Sequence, residues 1–186
     1  METAIIKPVI SNVCAIARIH CQLDLTEIYD NDYYNNFVKK RYNPERFIGL
    51  IFKVKSTGAT ATLFATGSVV IAGGKSILNV HDTIVDIIHD LASIGRYDAI
   101  LCDFRVTNIC ASIKMKRIDL IKLAESYPTD VSYETSLFPG AKYYSDGIIF
   151  TVHHTGSVFA TGFKDEEQMN TAFENIQKKL LLYLKN

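Results

Sequence analysis

Two rhythms of apolar residues run along the chain. Ile77, Val80, Ile84, Ile87, Ile88 and Leu91 form one stripe, and Met169, Ala172, Phe173, Ile176, Leu180 and Leu184 another. Both advance in steps of three and four, the spacing that gathers side chains on one face of an α-helix. Elsewhere apolar and polar residues alternate singly, punctuated by the turn pairs Thr66-Gly67, Asp146-Gly147 and Thr155-Gly156. That is the pattern of antiparallel hairpins with one buried face. Asp165, with Gln168 three positions on, starts the second helix as a capping box, and Gly95 ends the first. A sheet with helices on one side presents its other side to solvent or to a partner.

The pattern occurs twice, at a spacing of roughly 90 residues. Val9-Ile10-Ser11-Asn12-Val13-Cys14-Ala15 is matched by Arg105-Val106-Thr107-Asn108-Ile109-Cys110-Ala111, and each reads as a strand. Tyr42-Asn43-Pro44-Glu45-Arg46-Phe47-Ile48-Gly49 is matched by Tyr133-Glu134-Thr135-Ser136-Leu137-Phe138-Pro139-Gly140, a loop entering a strand. Thr66-Gly67-Ser68-Val69 through Lys75 is matched by Thr155-Gly156-Ser157-Val158 through Lys164. Each half therefore reads as strand, short helix, three strands and long helix. No Gly/Ser/Pro-rich linker separates the halves, so residues 8–95 and 96–186 are two repeats that share one continuous sheet of about ten strands.

Composition narrows the function. At 48% hydrophobic and 22% charged the chain is ordinary globular material. No apolar run approaches the roughly 18 residues of a membrane span, and Met1-Glu2-Thr3-Ala4 lacks the basic and apolar regions of a secretory signal. The expectation is a soluble, intracellular protein with no membrane contact. Cys14, Cys21, Cys102 and Cys110 form no C-x-x-C pair and have no histidine at zinc-ligand spacing, so neither a disulfide framework, nor a metal, nor a cofactor is indicated. His153 and His154 are adjacent on a strand and point to opposite faces, which excludes them as a paired catalytic site and argues against an enzyme. The formal net charge of +0 counts against tight binding of nucleic acid, which usually goes with a clearly basic domain.

The doubled, ordered landmarks resemble the core of the TATA-box-binding protein (TBP) family. The resemblance lies in Tyr42-Asn43-Pro44 with Arg46-Phe47, in Tyr133-Glu134 with Leu137-Phe138-Pro139-Gly140, in the two Thr-Gly-Ser-Val blocks, and in Ala172-Phe173-Glu174-Asn175-Ile176 of the last helix. It runs from about Pro8 to the C-terminus. It implies an α+β fold: a pseudo-twofold saddle of two repeats, a curved antiparallel sheet with helices on the convex face. It also implies a general initiation factor that binds the minor groove of AT-rich promoter DNA, bends it, and recruits factor IIB and RNA polymerase. The place of action would be the nucleus or a viral factory, or the cytoplasm of an archaeon.

By the same resemblance, Asn12 and Asn108 donate to the acceptors that line every minor-groove floor. The alternative is that each satisfies a backbone group at a strand end. Cys14 and Cys110, two residues on, share their face, at positions where the family usually has Val. The wedges that enter base steps are Phe47 with Phe64, and Phe138 with His153, where His153 departs from the aromatic hydrocarbon of the family; the alternative for each Phe is plain core. Val70 and Thr161 follow the family pattern, Ala72 replaces a Thr, and Phe159 replaces a smaller aliphatic. Sequence preference is thereby relaxed or shifted from a standard TATA element. Arg46, Lys53, Lys75 and Lys164 are the phosphate contacts, whereas Ser68, Ser157 and Tyr144 occupy positions that are typically basic. Each lost cation removes roughly one unit of salt slope.

Glu134, Leu137 and Phe138 match the surface that engages transcription factor IIB, with Ser136 in place of a Glu. The long first helix carries Asp82, Asp86 and Asp90 where relatives are basic, so its partners differ; a factor IIA-like protein and a weak homodimer are further partners left open. Tyr29 to Lys40 reads as an insertion, either a lineage-specific contact or a loop. The abundance of Asn, Ile, Tyr and Lys points to an AT-rich source such as a large DNA virus or a protist. A rival reading is an adaptor that keeps initiation-factor contacts with weak or altered DNA binding.

Overall fold

The computed structural model describes residues 5–31 and 36–185. Its elements in chain order are β1 (Val9–His20), α1 (Leu25–Asp30), β2 (Phe37–Asn43), β3 (Phe47–Val54), β4 (Thr60–Leu63), β5 (Ser68–Gly74), α2 (Ile77–Ser93), β6 (Ile100–Lys114), α3 (Leu120–Ser126), β7 (Val131–Ser132), β8 (Gly140–Ser145), β9 (Ile148–His153), β10 (Ser157–Phe163) and α4 (Glu166–Leu180). A 3-10 turn, Leu181–Tyr183, follows. The fold class is α+β, as the resemblance implies.

The chain divides into two compact units. The first is Asn12–Thr107; the second is Met1–Ser11 with Asn108–Asn186. In the first, antiparallel strands run in the order β2-β3-β4-β5-β1, with α1 and α2 packed on one face. In the second the order is β6-β10-β9-β8-β7, with α3 and α4 on one face.

Single alternation decides which side chains meet the helices. In β1, Val13, Ala15, Ala17 and Ile19 are buried, while Asn12, Cys14, Ile16 and Arg18 lie on the other face. Val80, Ile84, Ile87 and Leu91 of α2 are 0% exposed, and burial of each such side chain contributes about 1.5–3 kcal/mol. The second core is aromatic: Phe173 of α4 meets Phe150 edge-on at 5.5 Å and Phe163 at 5.9 Å between ring centroids. The caps follow the sequence reading at α4, where Asp165 accepts from Gln168 N at 2.7 Å. At α2 Ser76, not anticipated, accepts from Asn79 N at 3.0 Å.

Three expectations are corrected. Each half has four strands after its short helix, not three. β2 exists because Phe37, 3% exposed, stacks on Phe52 at 4.0 Å; β7 spans two residues, too short to leave an alternation. Leu184 lies beyond α4, where it bridges Ile118. Within Tyr29 to Lys40, the described residues are largely regular structure: Tyr29 and Asp30 end α1, and Phe37 to Lys40 begin β2. Lys40 ties these ends together, its Nζ donating to the carbonyls of Tyr29 at 2.6 Å and Asn31 at 2.8 Å, a cation on the last turn of α1. Residues 32–35 lie outside the described part.

One carboxylate is buried in α2. Asp90 is 8% exposed and accepts from Asn36 Nδ2 at 3.4 Å, and its Oδ2 has no partner among the described residues. Burial pushes its carboxyl above the usual carboxylate range, outweighing the opposing hydrogen bonds from Asn36. A carboxyl raised on folding binds more protons folded than unfolded, so stability rises as pH falls from the raised value toward 3.8, the ordinary one. Asp90→Asn is expected to melt above the parent at neutral pH and to lose this acid-side gain. Melting curves that coincide at neutral pH would contradict it.

Candidate nucleic-acid interface

The strand faces not covered by helices carry the residues the repeat singles out. In the first unit, hydrogen-bonded registers set Lys53 opposite Thr60 and Thr60 opposite Ala72. The next row reads Ile51, Thr62, Val70 and Ile16. In the second unit the matching row reads Lys142, Thr151, Phe159 and Ser112, with Thr161 opposite Cys110. Val70 is 42% exposed and Phe159 46%, so neither belongs to a core.

At the outer end of each face two rings converge over a glycine. Phe47 and Phe64 stand edge-on with centroids 6.0 Å apart, and a Cβ on Gly49 would lie 2.7 Å from the Phe47 ring and 3.1 Å from the Phe64 ring. Phe138 and His153 stand edge-on at 5.7 Å, and a Cβ on Gly140 would lie 2.7 Å from Phe138 and 3.2 Å from His153. Glycine is required at both positions because the rings rest where any side chain would begin. Phe47 is 45% exposed and Phe138 39%, which settles against the core alternative for these two. Phe64 and His153 are half-buried, and His153 also meets Phe159 edge-on at 5.8 Å.

Each asparagine is clamped by a bulge between its own strand and a neighbouring one. Asn12 Oδ1 accepts from Gly73 N at 2.8 Å, where the β1–β5 register shifts beside Cys14. Asn108 Oδ1 accepts from Gly162 N at 2.8 Å, where the β6–β10 register shifts. Both glycines have left-handed backbone, φ 85° and 107°. A backbone N–H can only donate, so the atom facing it must be the amide oxygen, which fixes the orientation of each amide. Nδ2 then points to the neighbouring thiol, with Asn12 to Cys14 Sγ at 3.3 Å and Asn108 to Cys110 Sγ at 3.2 Å. Sulfur is a weak acceptor, so each amide keeps donor capacity on the open face. The backbone role and a donor role are therefore compatible, not alternatives. The halves differ at one hydroxyl: Thr161 Oγ1 donates to Asn108 Oδ1 at 3.0 Å, whereas Ala72 offers no such group.

Charge is segregated. Arg18, Lys39, Lys40, Arg41, Lys53, Arg105, Lys114 and Lys142 all lie in strands, whose only acidic residue is Asp103 among the described residues. Helix α2 carries Asp82, Asp86 and Asp90 and no Lys or Arg. Of the expected phosphate contacts, Lys53 is exposed on the open face of β3, Arg46 sits in the turn before Phe47, and Lys75 and Lys164 follow directly on β5 and β10. They are spread over several elements and do not form one cluster. Sequence reasoning passed over Arg18, which stands opposite Ser68, and Lys114, which stands opposite Ser157 and donates to its Oγ at 3.0 Å. It also passed over Lys142. Counting every second residue from Asn12, Asn108 and Gly140 would have found all three.

The turn before β8 presents Glu134 and Leu137, the latter 84% exposed. Ser136 Oγ donates to the Glu134 carboxylate at 2.9 Å, and Leu137 N and Phe138 N both donate to Glu134 O at 3.0 Å. Phe138 thus belongs both to this turn and to the ring pair. Among the described residues no helix is long and apolar enough to cross a membrane.

The family model described as "Transcription factor TFIID (or TATA-binding protein, TBP)" matches residues 7–94 and 103–183. The chain is 31% identical over 183 residues to the TATA-box-binding protein-like 1 of Entamoeba histolytica, covering 97% of this chain and 82% of that protein. It is 32% identical over 184 residues to the TATA-box-binding protein of Candida albicans, covering 97% and 75%. In fold it matches the TBP of Methanococcus jannaschii with a TM-score of 0.78 at 24% identity, over 95% of this chain and 99% of that one. Match across both repeats, identity to full-length relatives and likeness of fold agree, and the chain belongs to the TATA-binding protein family.

Proposed function

We propose that this chain is a transcription initiation factor whose two repeats, 8–95 and 96–186, apply their open strand faces to the minor groove of AT-rich DNA and bend it. The observation that carries the reading is the doubled ring pair, Phe47 with Phe64 and Phe138 with His153, each seated over a bare glycine. Exposed rings at the end of a sheet lose contact with water only when something covers them, and a base step pried open is an apolar surface of matching shape. Minor-groove proteins insert such wedges and kink the duplex, a generalisation that rests in part on the TATA-binding family itself. Asn12 and Asn108 supply donors to the groove floor, Cys14, Cys110, Val70, Ala72, Phe159 and Thr161 line it, and Arg46, Lys53, Lys75 and Lys164 neutralise phosphates. The exposed turn with Glu134, Leu137 and Phe138 is the surface offered to a factor IIB-like partner. The chain acts as a binding protein and not as an enzyme.

The zero net charge weighs less against DNA than the total suggests, because Arg18, Lys53, Lys114 and Lys142 lie on the open strand faces while Asp82, Asp86 and Asp90 sit on α2. The adaptor reading retains one observation in its favour: His153 loses more hydration on entering a base step than Phe does.

The experiment is a duplex of AT-rich sequence labelled at both ends, with energy transfer reporting the bend at low salt. Wild-type protein is expected to shorten the end-to-end distance. Asn12→Asp with Asn108→Asp keeps the oxygen that accepts from Gly73 and Gly162 but removes the Nδ2 donor. Its melting temperature should stay near wild type while affinity falls at least about tenfold, the equivalent of about 1.4 kcal/mol. Absence of any bend at low salt, with a factor IIB-like protein still bound, would turn the assignment to the adaptor.

A further inference from the structure

The repeat breaks at one position on the open faces. Ile51 follows Gly49 by two residues and stands opposite Thr62 in the first unit. Lys142 follows Gly140 by two residues and stands opposite Thr151 in the second. Equivalent sites under the two ring pairs thus hold an aliphatic side chain in one repeat and a cation in the other.

Lys142 is half-buried and held in place. Its Nζ donates to Thr151 Oγ1 at 2.8 Å and stands 5.1 Å from the centroid of the Phe138 ring. Among the described residues it makes no ion pair with a carboxylate. A lysine on a solvent-facing strand normally keeps its rotamer freedom and full hydration. Here a hydroxyl and an aromatic face restrain the ammonium, while among the described residues no carboxylate pairs with it.

We infer that Lys142 is a nucleic-acid contact, delivering a charge-assisted hydrogen bond to an acceptor oxygen or nitrogen of the duplex at the step that Phe138 enters. This rests on the reading of the open faces as DNA-binding. The acceptor class is a phosphate oxygen or a base-edge atom on the groove floor; both attract a fixed ammonium. Ile51 contributes only apolar contact at the matched site, so at this one site the second repeat has a polar, charged contact that the first lacks. The two directions along an asymmetric duplex are then unequal.

The test is fluorescence anisotropy of the full chain on a labelled AT-rich duplex across a salt series. Lys142→Ile copies the residue that the first repeat accommodates, and Lys142→Gln is a neutral second variant that keeps a hydrogen-bond donor. Loss of a phosphate contact lowers the slope of log affinity against log salt by about 0.9, so over a fourfold rise in salt the variants lose about 3.5-fold less affinity than wild type. Lys142→Arg should restore the slope. An unchanged slope with a changed preference between A·T and G·C pairs, read on a set of single-pair replacements, assigns the contact to base edges instead. Wild-type slope and wild-type preference in both neutral variants overturn the contact while leaving DNA binding intact. A wild-type chain that binds no duplex at any salt overturns the underlying reading and the contact together.

Discussion

In a Phe47→Ala/Phe138→Ala double variant, bending of an AT-rich duplex is expected to disappear while the chain keeps its fold. Each ring meets one aromatic neighbour edge-on, Phe64 or His153, and Phe138 also meets the Lys142 ammonium at 5.1 Å; such aromatic pairs contribute about 0.5–1.5 kcal/mol each. With 45% and 39% of their surface already in water, the rings stabilise the free protein little, and its melting temperature should fall by only a few degrees. On DNA the balance reverses. A base stacked on an aromatic side chain is worth about 1–3 kcal/mol, and loss of two such contacts lowers affinity about 30-fold or more. Energy transfer across the duplex and a thermal melt of the same sample check both halves of the expectation. Loss of the cooperative melt in the double variant would mean that the rings, though exposed, hold the fold, and would remove them from the interface.

Phe173→Ala is expected to do the opposite, destabilising the second unit without touching the open face. Phe173 is 0% exposed and packs between Phe150 and Phe163. Truncating a buried Phe to Ala costs about 3–5 kcal/mol through lost transfer energy and the cavity left behind. At about 2–4 °C per kcal/mol for a chain of this size, the melting temperature should drop by about 6–20 °C. Below the new transition DNA binding should survive with the remaining folded fraction, which distinguishes a core residue from a contact. A fall of less than a few degrees would mean that Phe150 and Phe163 close over the gap.

Much of this architecture was legible in residue order because the relevant forces are local. The three-and-four spacing of Val80, Ile84, Ile87 and Leu91 requires a helix, and the same residues are the ones buried. Asp165 caps α4 through a bond to a residue three positions on. Strand β7 escaped notice because two residues carry no periodicity, and β2 because its evidence is a stack between Phe37 and Phe52, which are distant in sequence.

The site residues divide in the same way. Duplication brought Asn12 and Asn108, and Phe47 and Phe138, to attention without any coordinates. Net charge misled, since a sum over the whole chain is blind to where charges lie: the described strands carry several Lys and Arg with Asp103 as their only acid, while α2 carries Asp and no Lys or Arg. The acidic helix also hid a buried carboxylate, Asp90, whose environment depends on Asn36 from before β2.

Residue order by itself determined the repetition and the faces of the strands and helices, because periodicity and repetition are properties of spacing along the chain, and its doubled motifs carried the resemblance to the family. Only the tertiary structure decided that Phe47 and Phe138 are exposed over glycines, that each asparagine amide is oriented by a glycine N–H across a bulge, and that Lys142 is restrained by Thr151 and Phe138. The ring pairs Phe47–Phe64 and Phe138–His153, the asparagine clamps and the Lys142–Thr151 bond are contacts between strands, set by register and burial, and spacing along one strand carries no information about what stands across from it.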